Sequence, residues 1–184
     1  MNKLLSCNTL KMETTKNDLP ENTKYFFAKL KNYLDTELYY YGSIQRYDYF
    51  PEFSDIDVAI FCENEVSTIA KLQYFLNEKK SSFKRFIHRL PNNGKIIYGT
   101  KIKYADKYKK FTVEFAIYNK KNKEEVLEEK IKKNNMPFYI SYMLYILKFL
   151  YYKLQILPFD VFMKLKKICL NYLVEGQDTE YVIL

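Results

Sequence analysis

The chain has 184 residues, of which 48% are hydrophobic, so it can bury the core of one domain with a modest helical annex, and a disordered chain is excluded. Lys and Arg number 30 against 22 Asp and Glu, a formal net charge of +8. That balance favours a polyanionic partner, a nucleoside triphosphate or a nucleic-acid backbone. All but three of the basic residues (Arg46, Arg85, Arg89) are Lys. A/T-rich codons produce the same excess of Lys, Asn, Ile and Tyr, so the charge alone does not establish nucleic-acid binding. Cys7, Cys62 and Cys169 are scattered and His88 is the single histidine. This excludes a structural zinc site and argues against Ser-His or Cys-His catalysis. Reduced thiols and the lack of an apolar leader at the N-terminus point to a cytoplasmic protein. The apolar run 139–157 carries Lys148, Lys153 and Gln155, which makes it a poor membrane span.

In chain order, residues 1–17 are polar and read as a flexible segment. Asp18, Pro20 and Glu21 form a capping-box-like helix start, and Phe26, Phe27, Leu30, Tyr33 and Leu34 follow at helical spacing. Residues 38–41 read as a strand running into a Gly42-Ser43 turn, and 44–53 as a loop or short helix. In 54–62, Ile56, Val58 and Ile60 take one face of a strand, and Asp55, Asp57 and Ala59 take the other. A helix is expected over 65–79. Strands are expected over 84–90, 95–104 and 110–118, with turns at Pro91-Asn92-Asn93-Gly94 and around Ala105-Asp106-Lys107. The last third reads as helical: a charged helix at 123–134, an amphipathic helix at 139–157, a break at Pro158 and a final helix. The 139–157 helix has an apolar stripe of Ile140, Met143, Leu144, Leu147, Leu150 and Leu154. Ser141, Tyr145, Lys148, Tyr152 and Gln155 lie opposite. The final helix carries Val161, Leu165, Ile168 and Tyr172 on one face. The domain plan is a flexible segment 1–17, an α/β core 18–120 with a mixed sheet, and a helical region 121–184 packed on that core.

The chemistry concentrates in residues 42–57. A glycine turn lets backbone N–H groups approach a phosphate, and Ser43 adds a hydroxyl donor. Two aspartates at i and i+2 on a strand point to the same side. Their repulsion is relieved by a cation between them, and hard oxygen donors suit Mg²⁺ or Mn²⁺. Arg46 lies one turn after Ser43, within reach of a phosphate. Tyr47, Tyr49, Phe50 and Phe53 could stack a base but read better as packing the loop down, Lys148 and Lys153 could reach a triphosphate but read better as solvated or snorkelling, and His88 reads as a surface residue.

The stretch YYGSIQRYDYFPEFSDIDVAIF resembles the signature of the DNA polymerase β-type nucleotidyltransferase superfamily: an apolar strand, Gly-Ser, a spacer and Asp-x-Asp within a second strand. The resemblance is strong over residues 38–62 and implies a palm-like nucleotidyltransferase core. It implies that Asp55 and Asp57 bridge metal ions and that Gly42, Ser43 and Arg46 hold the triphosphate. A third carboxylate is implied on a later strand, and Glu114 within FTVEFAIY fits, although the family more often has Asp there. The implied reaction moves a nucleoside monophosphate from a nucleoside triphosphate to an acceptor hydroxyl, an RNA or DNA 3′-end being favoured, and releases pyrophosphate. The alternative is an inactive module of the same fold that binds nucleotides or partners.

Overall fold

The computed structural model describes residues 12–90, 93–108, 110–171 and 181–183. Helix α1 (Glu21–Leu34) leads into strand β1 (Leu38–Tyr41) and a 3₁₀ turn (Gly42–Gln45). Strand β2 (Ile56–Cys62), helix α2 (Glu65–Leu76), and strands β3 (Lys84–Arg89), β4 (Ile96–Ala105) and β5 (Thr112–Asn119) follow. Helices α3 (Lys123–Asn134), α4 (Phe138–Tyr152) and α5 (Phe159–Asn171) precede a short strand β6 (Tyr181–Ile183). The strands form one mixed sheet in the order β1-β2-β5-β4-β3-β6. Only β2 and β5 pair in parallel among the described residues.

Both faces of this sheet are covered, which gives three layers. On one face Ile56, Val58 and Ile60 of β2 and Val113, Phe115 and Ile117 of β5 meet Phe27, Leu30 and Leu34 of α1 and Leu72 and Leu76 of α2. On the other, Ala59, Phe61, Ala116 and Tyr118 pack with Val126 and Leu127 of α3. Period-two alternation therefore divides β2 and β5 between two cores. The aspartates share their face with a second apolar layer.

Several boundaries differ from the sequence reading, each for a local reason. Residues 12–17 are held rather than frayed. Met12 is buried, its carbonyl accepts from Tyr40 N–H, and Asn17 Nδ2 donates to the carbonyls of Ile44 and Arg46. Residues 1–11, with Cys7, lie outside the described set, as do Pro91 and Asn92 of the expected turn and Tyr172. Pro20 is the N-cap of α1 and makes no side-chain cap, because Asp18 pairs with Lys24 instead. Helix α2 stops at Leu76 because Asn77 turns left-handed and its N–H returns to Gln73 and Tyr74.

The C-terminal region is not wholly helical, since β6 pairs antiparallel with β3. Helices α4 and α5 pack on each other through Ile140, Leu144 and Cys169, with Tyr151 and Phe162 stacked at 4.3 Å between ring centres. The buried face of α4 is Ile140, Ser141, Leu144 and Lys148. Met143 and Leu154 of the expected stripe are half exposed. The helix is thus rotated toward the loop before β2, where Lys148 has partners. On α5 the buried residues are Phe162 and Cys169, while Val161, Leu165 and Ile168 stay exposed. No helix among the described residues is long and apolar enough to cross a membrane.

Gly99, in the middle of β4, is a point of close approach. A methyl group there would stand 2.7 Å from Phe86 Cζ and 2.9 Å from the Ile117 carbonyl oxygen. Phe86 fills the space and the carbonyl belongs to the neighbouring strand, so neither yields cheaply. Gly99→Ala is expected to cost about 1–3 kcal/mol by overpacking. Calorimetry should read this as a fall in Tm of roughly 3–10 °C.

Candidate active site

The antiparallel pairing of β1 with β2 brings the end of one strand to the start of the next. Tyr41 is the register partner of Asp57, and the Gly42–Gln45 turn begins at the following residue. The turn therefore closes over the Asp57 carboxylate. Gly42 has φ +74°, and a Cβ on it would lie 2.1 Å from Asp57 Oδ2. Only glycine satisfies both the left-handed backbone and that contact. Ser43 is buried within the turn, and Gly42 N–H donates to Asn134 Oδ1 at the end of α3 (3.1 Å).

The parallel pairing of β2 with β5 places Asp57 directly opposite Glu114. Parallel neighbours lie about 4.8 Å apart, so two carboxyl groups sit side by side on the same face. Asp55, expected within the strand, lies just before β2 begins at Ile56, near enough for its charge to act on Asp57. Burial, followed by the charges of Glu114 and Asp55, pushes the Asp57 carboxyl up to about 7, against the opposing pull of Lys130 and Arg46. Asp106, the other acid near the end of β4, instead caps its turn by accepting from Tyr108 N–H.

Lysines flank this group. Lys103 Nζ donates to Asp55 Oδ2 at 2.7 Å, and Lys101 Nζ lies 3.7 Å from Glu114 Oε1. Lys101 and Lys103 alternate along β4, the strand beside β5, and Lys103 is the register partner of Glu114. Lys130, from α3, is the third cation and is buried. The alternation Lys101-x-Lys103 is visible in the sequence of β4, but its significance depends on knowing that β4 lies next to β5.

Arg46 does not present its fork to open space. Its Nε and Nη2 donate to the two carboxylate oxygens of Asp48, at 2.7 and 3.1 Å. Lys148 Nζ joins them, 3.0 Å from Asp48 Oδ2 and donating to the Asp48 carbonyl at 2.6 Å and to Ser54 Oγ at 3.3 Å. This buried triad pins the loop between the turn and β2. Lys148, expected to be solvated, is a lock between α4 and that loop. Lys153 is exposed, as expected, and lies over the ring of Phe53, which stacks on Tyr152. His88 is fully buried rather than at the surface, with Nε2 3.2 Å from Glu129 Oε2, because α3 covers that face of β3.

The oxygens of Asp55, Asp57 and Glu114 have the donor chemistry of a hard divalent cation, which would lower the cost of burying Asp57 beside Glu114. Among the described residues no three acidic, His or Cys side chains are drawn together closely enough to enclose one, Asp55 and Glu114 being turned to their lysines.

A family model described as a nucleotidyltransferase domain matches residues 23–139, which takes in the whole of this site and α3. The chain belongs to that family. It is a nucleotidyltransferase, and the family match extends beyond residue 120, where the sequence reading ended the core. Among solved structures it is similar to the GLD-2/RNP-8 complex, with 13% identity over 97% of this chain and 74% of that one and a TM-score of 0.35. It is also similar to Cid1, a structure titled for its RNA terminal uridylyl transferase activity, with 13% identity over 82% of this chain and a TM-score of 0.33. The nucleotidyltransferase chain spans about half the length of Cid1, 46%. No curated protein matches it significantly.

Two predictions arise from these charges. The folded Asp57 carboxyl titrates near 7, above the ordinary 3.8, so the folded chain holds a proton that the unfolded chain has lost. Stability therefore declines as pH rises through that window. Asp57→Asn should stabilise the metal-free protein at pH 8, by on the order of 1–3 kcal/mol, with the gain vanishing near pH 4. Thermal melts across that range check it, and an equal gain at both ends would separate the effect from ionisation. Asp48→Asn leaves Arg46 and Lys148 buried without their counter-charge, and urea unfolding should show a loss of about 3–5 kcal/mol.

Proposed function

We propose that this nucleotidyltransferase transfers a nucleoside monophosphate from a nucleoside triphosphate to the 3′-hydroxyl of a nucleic acid, using Asp55, Asp57 and Glu114 with Mg²⁺ or Mn²⁺. The observation that carries the reading is the closure of the Gly42-Ser43 turn onto the Asp57 carboxylate, with Glu114 next to it in register. A phosphate held at the turn would lie against the carboxylates.

In this reading Asp55, Asp57 and Glu114 would hold the divalent ions, and Gly42 and Ser43 would grip the terminal phosphates through the backbone and the hydroxyl. The ions, when bound, supply positive charge to the triphosphate and the departing pyrophosphate. Lys101 and Lys103 are exposed enough to leave Glu114 and Asp55 and settle on phosphate oxygens. Arg46, fixed by Asp48, contributes its positive field from behind the turn. The acceptor oxygen attacks the α-phosphorus, the bond to the β-phosphate oxygen breaks, and Glu114 takes the acceptor's proton. Charge of +8 and the Phe53–Tyr152 stack near Asp55, exposed on its Phe53 side, support a nucleic-acid acceptor, since bases stack on aromatic faces next to lysines.

The test supplies each radiolabelled nucleoside triphosphate with Mg²⁺ or Mn²⁺ and offers single-stranded RNA, single-stranded DNA, a primed duplex or no acceptor. Label should enter a nucleic-acid 3′-end, with RNA ahead of DNA, and raised salt should weaken the acceptor's binding. Asp57→Asn should reduce incorporation about a thousandfold or more, about 4 kcal/mol of transition-state stabilisation. Label appearing only in protein or in a small metabolite would reassign the acceptor. Incorporation that survives Asp57→Asn would refute the carboxylate mechanism.

A further inference from the structure

Beside the carboxylates stands a cation that no substrate can reach. Lys130 is on the buried side of α3 and is 3% exposed. Its Nζ lies 4.4 Å from the centre of the Tyr41 ring. Tyr41 is the register partner of Asp57, and Asp57 is the register partner of Glu114. The ammonium thus caps one end of a row of three side chains on three adjacent strands.

The helix that carries Lys130 is itself anchored to the site. Four residues later, Asn134 accepts from Gly42 N–H. One residue earlier, Glu129 lies 3.9 Å from Lys130 and contacts His88 at 3.2 Å and Lys133. These contacts fix the ammonium where it is. Burial works against its charge, but Tyr118, Glu129, Asp57 and Glu114 outweigh burial and hold its pKa above the ordinary value. Lys103, by contrast, is more than half exposed and Lys101 about a quarter, so both have more room than Lys130.

We propose that Lys130 is a positioning residue of the active site, a fixed internal counter-charge beside Asp57 and Glu114 that sets how strongly they draw a divalent cation. The proposal rests on the carboxylate site described above. An ammonium in that place performs two tasks with opposite signs. It lowers the cost of folding around two like charges. It also weakens the site's pull on a cation, so that an ion arrives with the triphosphate rather than saturating the protein alone.

The experiment compares wild type with Lys130→Met, Lys130→Arg, Asp57→Asn and the double variant Lys130→Met/Asp57→Asn. Nucleotide-free protein is titrated with Mn²⁺, free Mn²⁺ being counted by electron paramagnetic resonance, and each variant is unfolded in urea without metal. Lys130→Met should bind Mn²⁺ on the order of a hundredfold or more tighter, the size expected for a unit charge acting on a divalent ion about 10 Å away at an effective dielectric of about 20. Lys130→Arg should stay close to wild type. In the urea series Asp57→Asn should restore stability to Lys130→Met, because it removes the charge that Lys130 balances. A lysine serving only as packing would leave Mn²⁺ affinity unmoved and give additive losses. Unchanged affinity in Lys130→Met where the wild type binds, or a double variant no more stable than Lys130→Met, overturns the proposal. Where Lys130→Met fails to fold, recovery of folding in the double variant supports it and continued failure overturns it. If neither wild type nor Asp57→Asn binds Mn²⁺, the metal reading falls, and the stability cycle decides on Lys130 alone.

Discussion

Placing two carboxylates next to each other on adjacent parallel strands is the constraint around which this protein is arranged. Asp57 and Glu114 face each other across a single strand spacing, with Asp55 close by, and the sheet face they occupy is covered further along by α3. Carboxylates in that position repel one another and lose part of their hydration. Nearby features of the fold respond to that cost. Gly42 omits a side chain where the Asp57 oxygen needs room. Lys101 and Lys103 come from the neighbouring strand, and Lys130 comes from the helix above.

The same constraint explains why the loop between the turn and β2 is so firmly held. Residues 46–54 connect the Gly42–Gln45 turn to the aspartate strand, and slack in them would let turn and carboxylate drift apart. Asp48 draws Arg46 and Lys148 together in the interior, and Phe50 packs its ring 4.9 Å from Tyr145. The two C-terminal helices therefore act on the site indirectly: α4 clamps the loop, and α5 supports α4 through the Tyr151–Phe162 stack. A buried ion triad is a costly way to gain stability when compared with apolar packing. Its benefit here is one of placement, since oppositely charged forks and ammoniums accept few geometries.

How much of this was readable in the sequence follows from how local each signal is. The turn at Gly42-Ser43 and the strands at 38–41, 56–62 and 112–119 were legible because each depends on a short motif or on period-two alternation, which survives into the sheet. The family match over residues 23–139 agrees with that reading of the fold. The charged helix at 123–134 was legible as a helix, but its role was not. Its mean character is polar, yet it inserts Val126 and Leu127 into the second core and carries Lys130 inward with them. Lys148 and His88 misled for a related reason. A lysine or histidine on an amphipathic element usually faces water, and only the tertiary cover laid over α4 and β3 reverses that expectation. Arg46 was read as a phosphate contact from its spacing alone, and the partner that occupies it, Asp48, lies two residues away and carries no motif.

The lysines also suggest how an empty and a loaded site can share one geometry. Asp55 is faced by Lys103 and Glu114 by Lys101, with Lys130 behind them, so much of the group's negative charge is offset before substrate arrives. A triphosphate accompanied by divalent ions is itself nearly neutral. In the proposed reaction the two could combine by exchange: the ions to the carboxylates, and the ammoniums of Lys101 and Lys103 to the phosphates. Little net charge is then buried or released, and the sheet need not move. Lys130 cannot join that exchange, because burial and its contacts with Tyr41 and Glu129 hold it in place. The site would accordingly keep one unit of positive charge throughout the cycle. In the proposed reaction that residual charge would offset part of the negative charge that builds on the departing phosphates.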